Sequence, residues 1–406
     1  MTDDTDAAIV PDVGIHSSAV AVRSLSKAGV RPIVASNRQS SPALSSKYCA
    51  ETIDVPDPHT SIDAYADSLL SLAERDDVRT ILPLREADVY ALSKNRPSFA
   101  RHMTPVWPDF ETLRTVQDRR TLLSVAQDLD IPTPSTRLLT AWPDGADRAV
   151  VKPRYSIVVD EVSSAAREPA VRVMDPHERP PVDEVVDEMG HVPVVQEYVP
   201  MAGEYGFFAL MDRGDPVLTF QHRRVRSFTY DGGASVYRKS IDDPTLRAYG
   251  LRLLSALEWH GPAMVEFRRD RRDDTLKLME INPRFWGSLA LAVHAGADFP
   301  RHYVDLAVEN TPGPEVESYE VGLGTHLLTG ELAYLYTVFR GNQQTEPPPF
   351  IRELASVLWS VYRQPQFDLC SLRDPMPFVT TLRSLTKQAT ALVVDPVRST
   401  DSPRES

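Results

Sequence analysis

The segment Leu276-Lys277-Leu278-Met279-Glu280-Ile281-Asn282-Pro283-Arg284 starts as an alternating strand and ends in an acid, an amide and a cation. Strand side chains alternate between faces, so Leu276, Leu278, Glu280 and Asn282 share one face. Upstream lies a second apolar run, Ala263-Met264-Val265-Glu266-Phe267, and the charged stretch 268–275 separates the two. A hairpin turning inside that stretch sets Glu266 opposite Glu280, with Asn282 one step further on. Side-by-side carboxylates repel unless a cation neutralises them. Carboxylate and amide oxygens suit Mg²⁺, which completes its shell with water and substrate phosphates. Edge-strand acids answering nearby arginines would show the same pattern. Arg284 follows Pro283, whose fixed φ helps to aim the next side chain.

Other candidate groups lie outside the hairpin. Arg226 closes a basic run, and the loop Gly232-Gly233-Ala234-Ser235 follows. An arginine fork and glycine-rich backbone N–H groups both suit a carboxylate or acyl phosphate, although a basic strand with an ordinary hairpin turn reads the same way. Trp286 is placed either to wall an acceptor pocket or to fill a core. His222 reads as structural. The chain holds 37 Arg and only 7 Lys, which singles out Lys152, set between Val150-Val151 and Pro153.

These groups need elements to hold them. Residues 7–84 alternate short apolar strands with helices, the pattern of a parallel sheet covered on both faces. The first turn, Asp12-Val13-Gly14-Ile15-His16, is no GxGxxG, so residues 1–115 read as a Rossmann-like unit without the nicotinamide fingerprint. Residues 117–130 form an amphipathic helix. Residues 148–156 and 192–200 read as strands, 204–212 and 215–228 as paired strands, and 244–261 as a long helix. The fold class is therefore α/β with an α+β portion. The chain of 406 residues carries a formal charge of −13, which argues against non-specific nucleic-acid binding. No apolar run approaches a membrane span, and the acidic N-terminus lacks signal-peptide order. Cys49 and Cys370 stand far apart, which suits a cytoplasmic setting.

Taken in order, VVKP, QEYV, MVEF and EINPR resemble the ATP-grasp superfamily over roughly residues 7–310, with the flavour of carboxylate–amine ligases related to carbamoyl-phosphate synthase, biotin carboxylase and D-alanine–D-alanine ligase. The resemblance implies a Rossmann-like pre-ATP-grasp domain (1–115), an ATP-binding small lobe (116–203) and a lobe carrying the metal and phosphate site (204–312); beyond it, residues 313–406 read from their own pattern as a helical extension ending in the polar, disordered DSPRES. It implies ATP and Mg²⁺, with Mn²⁺ as substitute, as cofactors. The implied partners are a small-molecule carboxylate and an amine, with no nucleic acid and no membrane, in an enzyme that can form a homodimer. By the same resemblance, Glu266, Glu280 and Asn282 are metal ligands and Arg284 steadies the transferring phosphoryl group. Lys152 reaches the ATP phosphates, Gln196-Glu197-Tyr198-Val199 forms the adenine hinge, and Glu204 meets the ribose. Arg119 stands where the family has lysine, and the two are not equivalent at phosphate. The glycine-rich flap is also missing, since 153–195 holds only Gly190. Both departures keep a second function open, an ATP-binding regulatory or scaffold protein with little turnover.

Overall fold

The structure, a computed structural model, describes residues 5–141, 148–175, 181–230, 232–309, 318–341 and 346–394, with side chains to 386. DSPRES and the 312/313 boundary lie outside the described residues. The chain opens with β1 (Ala7–Pro11), α1 (His16–Lys27), β2 (Arg31–Ser36), β3 (Glu51–Asp54), α2 (Ile62–Ala73) and β4 (Val78–Ile81), a four-stranded sheet of order β3-β2-β1-β4. All pairings are parallel, and every residue of β1 is buried, as expected of a strand covered on both faces. There follow α3 (Glu86–Lys94), α4 (Arg96–Phe99), α5 (Phe110–Gln117) and α6 (Arg119–Asp128). The single helix expected over 117–130 is interrupted at its start. Asp118 is extended at ψ 98°, and its carboxylate accepts from the Arg120 and Thr121 N–H groups, so it caps a new helix at Arg119.

Next come β5 (Thr136–Leu138), β6 (Ala149–Lys152), the short hairpin of β7 (Val158–Val159) and β8 (Ala166–Arg167), β9 (Arg172–Met174), α7 (Val182–Met189) and β10 (Val194–Glu197). β5, β10, β6 and β9 form an antiparallel sheet in that order. α7 covers it, packing Val185 and Met189 on Val151 and Val195.

A seven-stranded sheet makes up the rest of the body. Its elements are β11 (Met201–Asp212), β12 (Asp215–Thr229), β13 (Gly232–Ser240), α8 (Pro244–Ala256), β14 (Gly261–Asp270), β15 (Leu276–Asn282), α9 (Leu289–His294), α10 (Phe299–Glu309), β16 (Gly324–His326), α11 (Leu328–Arg340), α12 (Phe350–Arg363), β17 (Gln366–Phe367) and α13 (Met376–Val394). The strand order is β15-β14-β11-β12-β13-β16-β17. The extension is thus mostly helical but also contributes β16 and β17, which continue the sheet past β13. Among the described residues no helix is long and apolar enough to cross a membrane.

Period-two alternation gives this sheet two cores. Phe207, Ala209 and Val265 face α6 and α8, where Gly250 lets β11 approach, since a Cβ there would sit 2.1 Å from the Phe207 ring. Phe208, Phe220 and Met264 face the other way and join Ala8, Val10 and Val34 of the first sheet in one cluster with α9 and α10. Trp286 lies inside this cluster, 1% exposed, with its ring 4.4 Å from Phe208 and 4.9 Å from Phe299. Of the two roles the sequence allows it, core packing is the one its surroundings show. Trp286→Ala is expected to cost about 3–5 kcal/mol in denaturant unfolding and to lower the stability of both sheets together. A loss below about 1 kcal/mol, or two separate transitions, would contradict a shared core.

Candidate active site

β14 and β15 pair with Met264 opposite Asn282, Val265 opposite Ile281 and Glu266 opposite Glu280; a bulge follows Glu266 and shifts Phe267 onto Leu278. The acids therefore occupy the last regular rung before the bulge, where a strand twists and re-aims its side chains. The turn beyond is built by Asp270, whose carboxylate accepts from the Arg272 backbone and guanidinium and pairs with Lys277 at 3.2 Å.

Each acid has its own cations. Glu266 accepts from Arg224 at 3.0 Å and from the Asn282 amide at 3.1 Å. Burial and the neighbouring Glu280 and Glu204 charges raise its proton affinity, and Arg224 and Arg284 oppose the rise without cancelling it. Glu280 accepts from Arg119 at 3.0 Å. Burial pushes its carboxyl up, but Arg119, Lys152 and Arg284 outweigh burial and hold it at about 2. Lys152 ends β6 facing this pair, and burial lowers its ammonium to about 8 despite the attraction of Glu280 and Glu266. Arg284 donates to the Phe285 carbonyl at 3.0 Å and to Asn282 Oδ1 at 3.3 Å. Two acids, one amide and four cations thus form one interacting cluster drawn from β6, α6, β12 and the β14–β15 hairpin with the turn that follows it.

Two contributors escaped sequence analysis, Arg224 and Glu86. Glu86 opens α3 in the first unit, is almost fully buried, and sets Oε1 3.3 Å from Arg284 Nε; Ser156 Oγ lies 3.5 Å from its Oε2. Burial pushes its carboxyl up to about 7, against the pull of Arg284 and with a further push from Glu168 and Glu280. The available signal was Ile81-Leu82-Pro83-Leu84-Arg85-Glu86, an apolar strand running into charge as Ile281 runs into Arg284.

The hinge and ribose candidates line the neighbouring wall. Gln196 lies between β5 and β6, with Nε2 bonded to Thr136. Glu197 pairs with Lys277 at 2.5 Å and with Arg272 at 3.5 Å. The Glu197 and Tyr198 N–H groups already donate to Ser135 and Arg148 carbonyls, the Tyr198 ring lies under the Arg148 guanidinium, and Val199 is buried. Glu204 takes Arg268 at 2.7 Å and Arg224 at 3.3 Å, and these two arginines overcome burial to keep its pKa low.

The chain after Lys152 is tied down. Arg119 donates to the Pro153 carbonyl, Asp118 chelates Arg154, and the Ser156 N–H reaches the Gln117 carbonyl. The β7–β8 hairpin then buries Ile157 and Ala166 in the core of the first unit and bonds its Ser164 to Ser61 and to the Ile62 N–H. Gly190 serves as the left-handed C-cap of α7 at φ 72°.

The substrate set drawn from the sequence does not gather at the acid pair. Arg226 is buried and committed to Glu331, at 2.6 and 2.7 Å, and to Ser360 of the extension. Gly232 and Gly233, at φ 149° and 94°, form the tight start of β13, and Ser235 lies on β13 opposite Ser227. None of these four contacts Glu266, Glu280 or Arg284 among the described residues. His222 is buried in the sheet against Phe208, as a structural residue would be.

Residues 204–325 match the family model described as ATP-grasp in the biosynthetic pathway with Ter operon. No curated protein matches the sequence. Among solved structures, the chain is similar to a biotin carboxylase–β,γ-ATP complex from Campylobacter jejuni, with 15% identity over 79% of this chain and 74% of that one and a TM-score of 0.59. N5-carboxyaminoimidazole synthetase from Staphylococcus aureus matches at 14% identity over 79% and 80%, TM-score 0.57. The biotin carboxylase domain of Hydrogenobacter thermophilus 2-oxoglutarate carboxylase, described as a dimer with MgADP, ADP and bicarbonate, matches at 13% over 79% and 73%, TM-score 0.59. The chain thus has an ATP-grasp fold, and its segment 204–325, which carries Glu266, Glu280 and Arg284, is similar to an ATP-grasp family model.

Proposed function

We propose that the protein is an ATP- and Mg²⁺-dependent ligase that activates a carboxylate as an acyl phosphate for attack by an amine, forming a C–N bond. The observation that carries this reading is the Glu266–Glu280 pair held beneath Lys152, Arg119 and Arg284, three cations delivered by three separate segments. The neighbours described with β,γ-ATP or MgADP support it.

Glu266, Glu280 and the Asn282 amide oxygen would hold Mg²⁺ or Mn²⁺. The fit rests on their donor chemistry, since hard carboxylate and amide oxygens stand side by side on paired strands. Such an ion supplies neutralisation of phosphate oxygens. The chain's residues do the rest. Gln196 to Val199 receive the base, and Glu204 takes the ribose hydroxyls. Lys152 and Arg119 face the polyphosphate, and Arg284 meets the transferring phosphoryl group. Phosphoryl transfer needs mainly positioning and charge neutralisation, which this set provides. Arg119 and Arg284 each hold a carboxylate partner that an incoming phosphate can replace. Glu86 orients Arg284 from the first unit.

A second reading, an ATP-binding regulatory or scaffold protein with little turnover, is favoured by one observation. The segment after Lys152 is pinned into a core and offers no glycine-rich cover. Glu280→Gln separates the two. The ligase loses about a hundredfold or more in ADP release with carboxylate and amine present, while its circular dichroism is unchanged. ATP-induced thermal stabilisation with no ADP from the unaltered chain under any substrate pair would establish the second reading instead.

Two pH profiles test the site's electrostatics. The Lys152 ammonium carries its charge below about 8 and loses it above, so ATP binding weakens as pH rises through that value. Lys152→Arg keeps its charge and flattens the profile by calorimetry; an equal fall in both proteins would remove Lys152 from the phosphate site. For Glu86, the folded-state pKa of about 7 lies above the unfolded one, so its contribution is full below about 4.3 and declines as pH rises through 7. Glu86→Gln should abolish this part of the melting-temperature profile between pH 5 and 7, an effect of at most about 3 kcal/mol. A wild-type slope retained in the variant would exclude Glu86 as its source.

A further inference from the structure

Away from the Glu266–Glu280 pair, the extension carries an apolar face that no described residue covers. α12 buries Val357 and Ser360 toward the body, where Val357 clusters with Tyr334 and Val338 of α11. Its opposite side holds Ile351, Ala355, Leu358 and Tyr362, spaced four, three and four residues apart, so they lie in one stripe along the helix. Ile351, Leu358 and Tyr362 are 75%, 62% and 76% exposed, and Trp359, on the flank of the stripe beside Arg352, is 63% exposed. Tyr336 and Phe339 of α11 are also open to solvent, and Phe339 joins the face through its 5.8 Å ring contact with Phe350. An aromatic side chain offers about 150–250 Å², so these side chains together leave on the order of 800 Å² of apolar surface open. That equals what one partner brings to a standard interface, and it exceeds the patches a monomer ordinarily shows.

We propose that this face is a homodimer interface, with α12 packed antiparallel on α12 of a second copy about a twofold axis. The 4-3-4 spacing is that of a seam into which a second helix interdigitates. A twofold axis through the middle of the stripe sets Ile351 opposite Tyr362 of the partner subunit and Ala355 opposite the partner's Leu358. The small alanine then receives the larger leucine, twice by symmetry, so the stripe is complementary to itself as an isologous contact requires. The flank matches as well. Arg352 falls beside the partner's Trp359, whose indole face attracts a guanidinium, and this helix side already uses that interaction, with Arg363 5.8 Å from the Trp359 ring centre. The exposed charges of α11 and α12 are all arginine (Arg340, Arg352 and Arg363), so no carboxylate is buried at the seam. The formal charge of −13 sets the molecule as a whole against an anionic lipid surface, the other occupant an apolar and basic helix face can take. This inference does not depend on the ligase reading.

The test is sedimentation equilibrium of the full chain at micromolar concentration, expected to give twice the chain mass. Leu358→Glu, on an exposed position, should weaken self-association by about a hundredfold or more with unchanged circular dichroism. In a chain with Cys49 and Cys370 replaced by serine, Ile351→Cys with Tyr362→Cys, about three turns apart in one helix and so unable to pair within a chain, should cross-link two copies on mild oxidation. The cross-link decides the matter should Leu358→Glu fail to fold. A monomer at every concentration, a dimer that Leu358→Glu leaves intact, or a monomer that sediments with phosphatidylcholine–phosphatidylglycerol vesicles would each overturn the proposal.

Discussion

Glu266 and Glu280 stand on the same rung of two neighbouring strands, and nothing on their own hairpin neutralises both. Adjacent charges at reduced dielectric repel by several kcal/mol, so the pair exists only if the surrounding fold brings cations to it. The two acids resolve the conflict differently. Glu280 takes Arg119, Lys152 and Arg284 and stays ionised, whereas Glu266 leans on Arg224 and Asn282 and has its proton affinity raised. This asymmetry follows from position. Glu280 lies on the edge strand β15, open to α6 and β6, while Glu266 sits one strand further in, where Arg224 of β12 reaches it.

The cations come from far apart in sequence, which makes the cleft a test of the whole fold. Arg119 begins a helix created by the Asp118 cap, Lys152 ends a strand of the small sheet, and Arg284 leaves β15 through a proline. Glu86 reaches Arg284 from the first sheet. The core that runs from Val10 through Phe208 to Trp286 fixes the distance between these contributors. A side chain lost from that core therefore acts on the charges as well as on stability, because close-packed interiors transmit displacement rather than absorb it.

The hairpin register was legible because two independent constraints agreed: alternation placed Glu280 on the inner face, and the charged run located the turn. The βαβ reading of residues 7–84 rested on equally strong periodicity. The bulge after Glu266 was not legible, since nothing in Glu266-Phe267-Arg268 marks it beyond what the partner strand dictates. Glu86 and Arg224 were overlooked for another reason. An acid at a helix start and an arginine on a basic strand have ordinary explanations, and only their tertiary neighbours distinguish them. The break at Asp118 shows the same override, because the 117–130 pattern is helical throughout while the bridge between Asp118 and Tyr155 claims the backbone.

The excess of arginine over lysine takes on a structural meaning in this light. One group of guanidiniums serves the cleft acids: Arg119, Arg224, Arg268 and Arg284. A second group ties the extension to the body: Arg23 to Asp374, Arg226 to Glu331 and Arg238 to Asp368. A planar fork that donates in two directions can hold a carboxylate and a carbonyl or hydroxyl together, as Arg23 does with Asp374 and the Leu369 carbonyl, and lysine cannot match that geometry. Arg226 resembles a substrate anchor in the sequence because both groups use the same chemistry. What separates them is the carboxylate's origin: an extension residue that is always present claims Arg226, and the cleft arginines hold acids that an incoming anion can displace. In the cleft, Lys152 stands apart. Its ammonium gives up its proton far more readily than a guanidinium, so burial makes its charge, and not theirs, sensitive to pH near 8.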